Sequence, residues 1–262
     1  MKKTIFIFFV IFLSGSIIAQ TNMLIRKTDG TLISYPTNEI DSIYFETTPF
    51  SCGDQISDID GNTYNTVEIG NQCWFQENLK VSHYSNGVEI TLITDNSIWS
   101  NLGDNNTDKA YCWFNNDINN KPTHGALYTY AAATNGDNSG NDVQGACPDG
   151  WHLPNTTEWN TLIDFVGGWA HAGGAFKETG LTTWNSPNDG ATNSSGLTVH
   201  GSGYRGDSGP FSGFGNYSIL WSSSESSSTK GWYLRLDYSD DGAFIDDTYT
   251  KSRGFSIRCI AD

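Results

Sequence analysis

Residues 182–214 hold only short apolar stretches among Gly, Asn and Ser, and no other feature restricts the fold of this chain more. An ordered segment of that length without regular structure either does something or is pinned by its own side chains. The same vocabulary runs through the whole sequence. Charged residues make up 16% of the 262, against roughly 25% in an average globular protein. Asn, Ser, Thr and Gly, the residues of turns and loops, fill the difference. Aromatics reach 13%, with nine Trp, which excludes a disordered acidic chain. With 14 Lys and Arg against 29 Asp and Glu, the net charge is −15, and no basic face is available for nucleic acid. The length allows one or two domains with a sizeable core. The expectation is a loop-rich β or α+β protein with aromatic anchors.

Met1-Lys2-Lys3, an apolar run to Leu13, and the small residues Ser14, Gly15, Ser16 and Ala19 read as a signal peptide spanning 1–19. The run is shorter than the ~20 residues needed to span a bilayer. Cleavage after Ala19 removes Lys2 and Lys3 and takes the charge from −15 to −15 − 2 = −17. No later apolar stretch is long enough for a transmembrane segment, so a secreted or cell-surface location is expected. An exported chain can keep disulfides. The cysteines are Cys52, Cys73, Cys112, Cys147 and Cys259, and no pair has CxxC spacing. His is scarce, so no zinc site is expected. The odd count leaves at least one thiol, which is expected to be buried as a small hydrophobe rather than paired with another chain.

Residues 20–51 read as a small β-hairpin segment and linker. Two apolar strings flank Asp29-Gly30, a hairpin turn signal, and Glu39 to Phe45 alternates as a third strand. A second hairpin turn falls at Asp58-Ile59-Asp60-Gly61-Asn62. As a calcium loop that string fails, because the twelfth position, which needs a bidentate Glu, is Ile69. Helical spacing predicts a helix from Gly125 to Asn135. A second helix is better marked: Asn155 and Glu158 form a capping box, Trp159, Leu162, Ile163 and Val166 an apolar stripe, and Gly167-Gly168 a stop. Strands are expected at Leu220 to Ser223, Gly231 to Leu236 and Gly254 to Ile260, with a hairpin near Ser239 to Gly242 returning through Ala243 to Thr250.

No HExxH, GxSxG or Walker string occurs, and the five His are scattered. His152 is expected to lock a turn rather than to catalyse, since buried polar groups must be paired. Trp74, Trp151, Trp159, Trp221 and Trp232 sit in structural strings, whereas Trp99, Trp113, Trp169 and Trp184 are less constrained. Aromatic rings flanked by amides and carboxylates suit sugars or extended polymers. A ligand face is therefore expected between residues 184 and 217, with Trp184, Asn188, Asp189, Asn193, Tyr204, Arg205 and Asp207 as candidates. Arg205-Gly206-Asp207 spells an integrin-type tripeptide, too short a string to carry an adhesive function without structural context.

Together, several strings resemble the Fibrobacter succinogenes major paralogous domain family. They are Asp58 to Tyr64, Gln72-Cys73-Trp74-Phe75-Gln76-Glu77-Asn78-Leu79, Cys147-Pro148-Asp149-Gly150-Trp151-His152-Leu153-Pro154 and Glu158-Trp159. Further on come Gly173-Gly174, Lys177-Glu178-Thr179-Gly180, Ala191 to Gly196, Gly203-Tyr204-Arg205, Trp221-Ser222-Ser223 and Gly254-Phe255-Ser256-Ile257-Arg258-Cys259. The resemblance covers residues 52–262. It implies a C-type-lectin-like fold, related to that of formylglycine-generating enzymes, with two helices, small antiparallel sheets and a long loop-rich insert. It also implies a disulfide between Cys147 and Cys259, whose loop of about 110 residues would contribute roughly 4–5 kcal/mol in the chain-entropy model. The reactive cysteines of formylglycine-generating enzymes and the calcium strings of sugar-binding lectins are both missing. The expectation is a secreted, non-catalytic binding module without cofactor or metal, for a glycan or another extracellular ligand. The alternatives are a structural or adhesive surface protein with a protein partner, or a divergent formylglycine-generating-type enzyme.

Overall fold

The computed structural model describes residues 22–27, 30–40 and 50–262. The signal-peptide residues and residues 41–45 of the expected third strand lie outside them. The chain divides into two compact units, Met1–Phe50 and Ser51–Asp262. In the first, β1 (Asn22–Arg26) pairs antiparallel with β2 (Leu32–Pro36), with Met23 opposite Tyr35. Gly30, at φ +87°, lies in the reversal between them, where a side chain would be strained.

The second unit is mixed α+β, with few helices and several small sheets. In order come β3 (Ile56–Ser57), β4 (Thr63–Tyr64), β5 (Thr66–Ile69), β6 (Gln72–Phe75), β7 (Thr91–Leu92), α1 (Asn96–Trp99), β8 (Ala110–Cys112), α2 (Lys121–His124), β9 (Leu127–Tyr128), α3 (Tyr130–Ala133) and β10 (Trp151–His152). Then follow α4 (Thr156–Phe165), α5 (Trp169–Phe176), β11 (Ser202–Arg205), β12 (Phe211–Phe214), β13 (Tyr217–Ser227), β14 (Lys230–Asp237), β15 (Ala243–Asp246) and β16 (Ile260–Ala261). One sheet runs β10-β16-β6-β5, a larger one β12-β11-β13-β14-β15, and a third β7-β8-β9. The pairs β7/β8 and β11/β13 are parallel, so the sheets are not purely antiparallel as expected.

Side chains alternate across a strand, so one strand can serve two cores. In β6, Phe75 enters one core, with Tyr128, Trp151, Trp221 and Phe255, while Trp74 enters the other, with Trp159, Leu162 and Trp184. In β13, Ile219 and Trp221 face the first core and Leu220 the second. These two strands are the walls on which both cores are built.

Helix α4 starts as the sequence predicts. Asn155 Oδ1 accepts from the Thr157 and Glu158 amides at 2.8 and 3.0 Å, and Glu158 returns to the Asn155 N–H at 2.8 Å. The helix expected from Gly125 to Asn135 shrinks to the single turn of α3. Leu127 and Tyr128 instead join β8, and Tyr128 also bridges Phe255, so ladder pairing takes the first half of the segment. Helix α5 was not expected. Its glycines explain it: a Cβ on Gly173 would lie 2.0 Å from the Gly242 carbonyl, so only glycine lets this helix press against the 241–242 turn.

Two disulfides close the unit, Cys52–Cys73 and Cys147–Cys259, the second as the family resemblance implies. Cys112 is free and buried. Loops that lack ladders must satisfy their carbonyls in other ways, and here buried cations supply the donors. Arg258, fully buried, donates Nη1 to the carbonyls of Phe75, Gln76 and Leu197, and Nη2 to Asn78 Oδ1 at 2.7 Å. Lys177 donates to the carbonyls of Asp189, Asp237 and Asp240 at 2.7, 2.9 and 2.7 Å. Burial pushes the Arg258 guanidinium down to about 9, still high enough to stay charged at neutral pH. Burial also lowers Lys177, against the opposing pull of Asp241, Asp189, Asp237 and Asp240.

Arg258→Met keeps the apolar stem and orphans several acceptors, each costing about 1–3 kcal/mol when buried. The expected loss in urea unfolding is at least about 3 kcal/mol. A loss under about 1 kcal/mol would mean that the carbonyls find other donors.

Candidate functional site

The residues expected to face a ligand between 184 and 217 mostly hold the insert together. Trp184 is 1% exposed, and its indole N–H donates to the Val199 carbonyl at 2.8 Å. A ring so buried offers no face for stacking. Asn188, also buried, donates its amide to the carbonyls of Glu178 and Gly180, both at 2.8 Å. Asn193 closes a turn on Thr198. Arg205 is fully buried, stacks 4.2 Å from the Trp99 ring centroid, and donates to the carbonyls of Gly209, Ile93 and Thr94. The Arg-Gly-Asp tripeptide therefore does not display its Arg. Tyr204 packs among Tyr217, Tyr249 and Phe255, and Asp207 lies 3.5 Å from Arg253. Asp189 has an exposed side chain, while its backbone serves Lys177 and Tyr238. The group does not form one recognition surface. Its polar atoms answer backbone carbonyls and loop amides.

The histidines form separate pairs. Ser82, His83 and Asp60 meet, yet Ser82 Oγ at 3.2 Å and Asp60 Oδ1 at 2.6 Å both approach the same nitrogen, Nδ1. A relay needs the nucleophile and the carboxylate on opposite nitrogens. His152 does lock a turn: Nε2 meets Glu158 Oε1 and Nδ1 meets Asp262 Oδ1, both at 2.8 Å, which ties the start of α4 to the end of β16. Burial opposes its charge, but the hydrogen bonds its ring donates to these two carboxylates outweigh it and raise the imidazole above its ordinary value. His124 and His200 face each other with centroids 6.2 Å apart. His200 also touches Thr183 and Glu178, at 3.3 and 3.4 Å. Burial, with His200 nearby, pushes His124 down to about 4. Burial pushes the Cys112 thiol up to about 12, with Arg205 opposing. Among the described residues, no three His, Cys, Asp or Glu side chains gather as metal ligands.

One indole is displayed: of the nine tryptophans, Trp169 alone is exposed, at 64%. It opens α5 directly after Gly168, off the apolar stripe of α4, and that position was the sequence signal available for it. Its ring lies 6.0 Å from that of Phe244 at 51°, forming an angled shelf. The Arg235 guanidinium stacks 5.2 Å from the Phe244 centroid, and its Nε is buried without a partner. Two residues along α5, His171 Nδ1 meets Asp241 Oδ2 at 2.6 Å, with the imidazole largely exposed. Trp169 and His171 thus both reach the 241–244 turn, against which Gly173 and Gly174 hold the helix. The shelf can stack on an apolar face, and its rim can hydrogen-bond hydroxyls.

The Fibrobacter succinogenes major domain (Fib_succ_major) model matches residues 67–261, from β5 to β16. The chain belongs to this family. Nothing matches among curated proteins or among solved structures. The Fibrobacter succinogenes major domain thus holds both walls of the core, the Cys147–Cys259 disulfide, the buried cations and the Trp169 shelf. The Cys52–Cys73 disulfide fastens to it a segment that precedes the match. No helix among the described residues is long and apolar enough to cross a membrane.

Two solution measurements follow from the titrating groups. His124 has a folded pKa below its unfolded value, so the fold binds fewer protons between them. Its contribution is present above about pH 6.5 and is lost as the pH falls toward about 4. His124→Phe should flatten the fall in melting temperature across that window; an unchanged slope would assign the acid loss to other groups. His152, being raised, contributes in the opposite sense, fading as pH rises through its folded value. Cys112 should resist iodoacetamide in the native protein and react once the protein is unfolded without reductant. Fast native alkylation would reveal a reactive thiolate instead.

Proposed function

We propose that the Ser51–Asp262 unit is an exported, non-catalytic binding module of C-type-lectin-like architecture, and that its ligand is a saccharide lying on the Trp169–Phe244 shelf. The observation that carries the reading is the exposed Trp169. It is the one exposed indole of the nine, and it stands with Phe244 beside Asp241, His171 and Arg235. Sugar rings present C–H faces to indoles and hydroxyls to carboxylates and imidazoles, which is what the shelf and its rim supply. The lectin-like architecture is supported by a capped helix, by strands from both ends of the unit paired in one sheet, and by a long insert between helix and hairpins. The Cys147–Cys259 link supports it as well. Export is supported by the two disulfides and by the leader-like composition of residues 1–19. The non-catalytic reading is supported by the buried, protonated Cys112 and by the geometry at His83.

A second reading, a surface protein with a protein partner, is favoured by the hairpin of the first unit. Leu24, Leu32 and Tyr35 are all exposed there, at 45%, 58% and 44%.

The test is a polysaccharide pull-down and glycan array with wild type and Trp169→Ala. Wild type should be retained by at least one glycan. The variant should lose several-fold in affinity, the equivalent of about 0.5–1.5 kcal/mol of ring contact, with an unchanged melting temperature. A blank array overturns the saccharide reading. Recovery of one stable protein partner from native envelope material by the isolated hairpin-bearing chain would then favour the second.

A further inference from the structure

Strand β13 breaks its ladder with β14 on the side away from Tyr217. Trp221 pairs with Tyr233, but the next pair is Glu225 with Gly231, so β13 spends four steps where β14 spends two. Such a bulge re-aims side chains and frees backbone groups. Here it turns Ser224 to the start of α4, where its Oγ accepts the Thr156 N–H at 3.1 Å, and Ser223 Oγ donates to the Gly140 carbonyl. The bulge, the 138–141 loop and Asn105-Asn106 then border a wide-open cleft of about 730 Å³.

The lining of this cleft is uniform in chemistry. It consists of Asn amides, Ser hydroxyls, one glycine and one carboxylate, with no apolar side chain. The carboxylate, Glu225, is paired with the buried ammonium of Lys251 and so presents no net charge to a ligand. The Asn106 amide turns its Nδ2 toward Glu225 at 3.4 Å, and its Oδ1 is buried without a partner. The amides of Asn138 and Asn141 bond to no described residue. The Ser139, Ser224, Ser226 and Ser227 hydroxyls are bonded within the chain, so the amides of Asn106, Asn138 and Asn141 carry the capacity left to donate and accept. A lipid or an aromatic ligand finds no apolar side chain here, and an ion finds no unpaired counter-charge.

We infer that this cleft is a second binding site, separate from the Trp169 shelf, and that it takes a neutral polyhydroxylated ligand such as an uncharged oligosaccharide, held by hydrogen bonds alone. The test is a titration of the ¹⁵N-labelled protein with cellohexaose, mannohexaose and maltohexaose, with an oligoglucuronate as the charged probe. A neutral probe should move the side-chain amide signals of Asn106, Asn138 and Asn141 saturably. Trp169→Ala should leave those shifts intact. The double variant Asn138→Ala/Asn141→Ala, in an exposed loop, should weaken binding roughly tenfold as read at the remaining Asn106 amide, as expected for two lost hydrogen bonds. Shifts confined to the Trp169 indole would overturn the cleft site and leave the shelf standing. Amide signals that no neutral probe moves up to millimolar concentration, or that the glucuronate moves equally, would also overturn it.

Discussion

Everything else in the Ser51–Asp262 unit depends on cations placed where water cannot reach them. Arg205, Lys177 and Arg258 are fully buried, and Lys251 is 1% exposed. Burying a charge is unfavourable unless it is paired or saturated with hydrogen bonds. Three of these groups are saturated mainly by backbone carbonyls rather than by carboxylates. The reason lies in the loop content. Helices and sheets satisfy their own carbonyls, but long turns leave theirs pointing inward. A guanidinium or ammonium brings several donors to one point and can collect carbonyls from segments distant in sequence. Arg258 joins β6 to the insert, Lys177 joins the insert to the β14–β15 turn, and Arg205 joins it to the segment before α1.

This use of cations also shapes the surface. The chain has 14 Lys and Arg in all, and four of them are withdrawn into the interior. The outside is therefore more acidic than the net charge alone conveys. That surface disfavours polyanionic ligands.

The sequence was most legible where one residue type does one local job. The Asn155–Glu158 capping box, the hairpin turn at Asp58 to Asn62 and the β14–β15 return are visible because turn and cap chemistry is settled within a few residues. Helix α5 was not visible, because Gly167-Gly168 reads as the stop of α4 and the Gly173-Gly174 pair inside α5 is set by the distant 241–242 turn. The candidate site was largely illegible for a related reason. Asn188, Asn193 and Arg205 have the chemistry of ligand contacts, and sequence cannot tell whether an amide faces a carbonyl of its own chain or the solvent. Trp169 shows the converse: its exposure follows from where the Gly167-Gly168 break leaves α5, not from its neighbours in sequence. The cleft depends on a ladder slip in β13 that a run of serines does not announce.

The Cys52–Cys73 disulfide has a mechanical consequence. It delivers any pull arriving at the start of the unit directly to β6, bypassing the 53–72 segment. Strand β6 lies beside β16 in the same sheet, and Cys259, next to β16, is itself fastened to Cys147. Tension applied across the two ends of the unit thus crosses one covalent link and one pair of adjacent strands, with the second disulfide anchoring the residue before β16. The insert, the shelf and the bulged end of β13 hang outside that path. A domain strung this way can bear load while those parts stay slack.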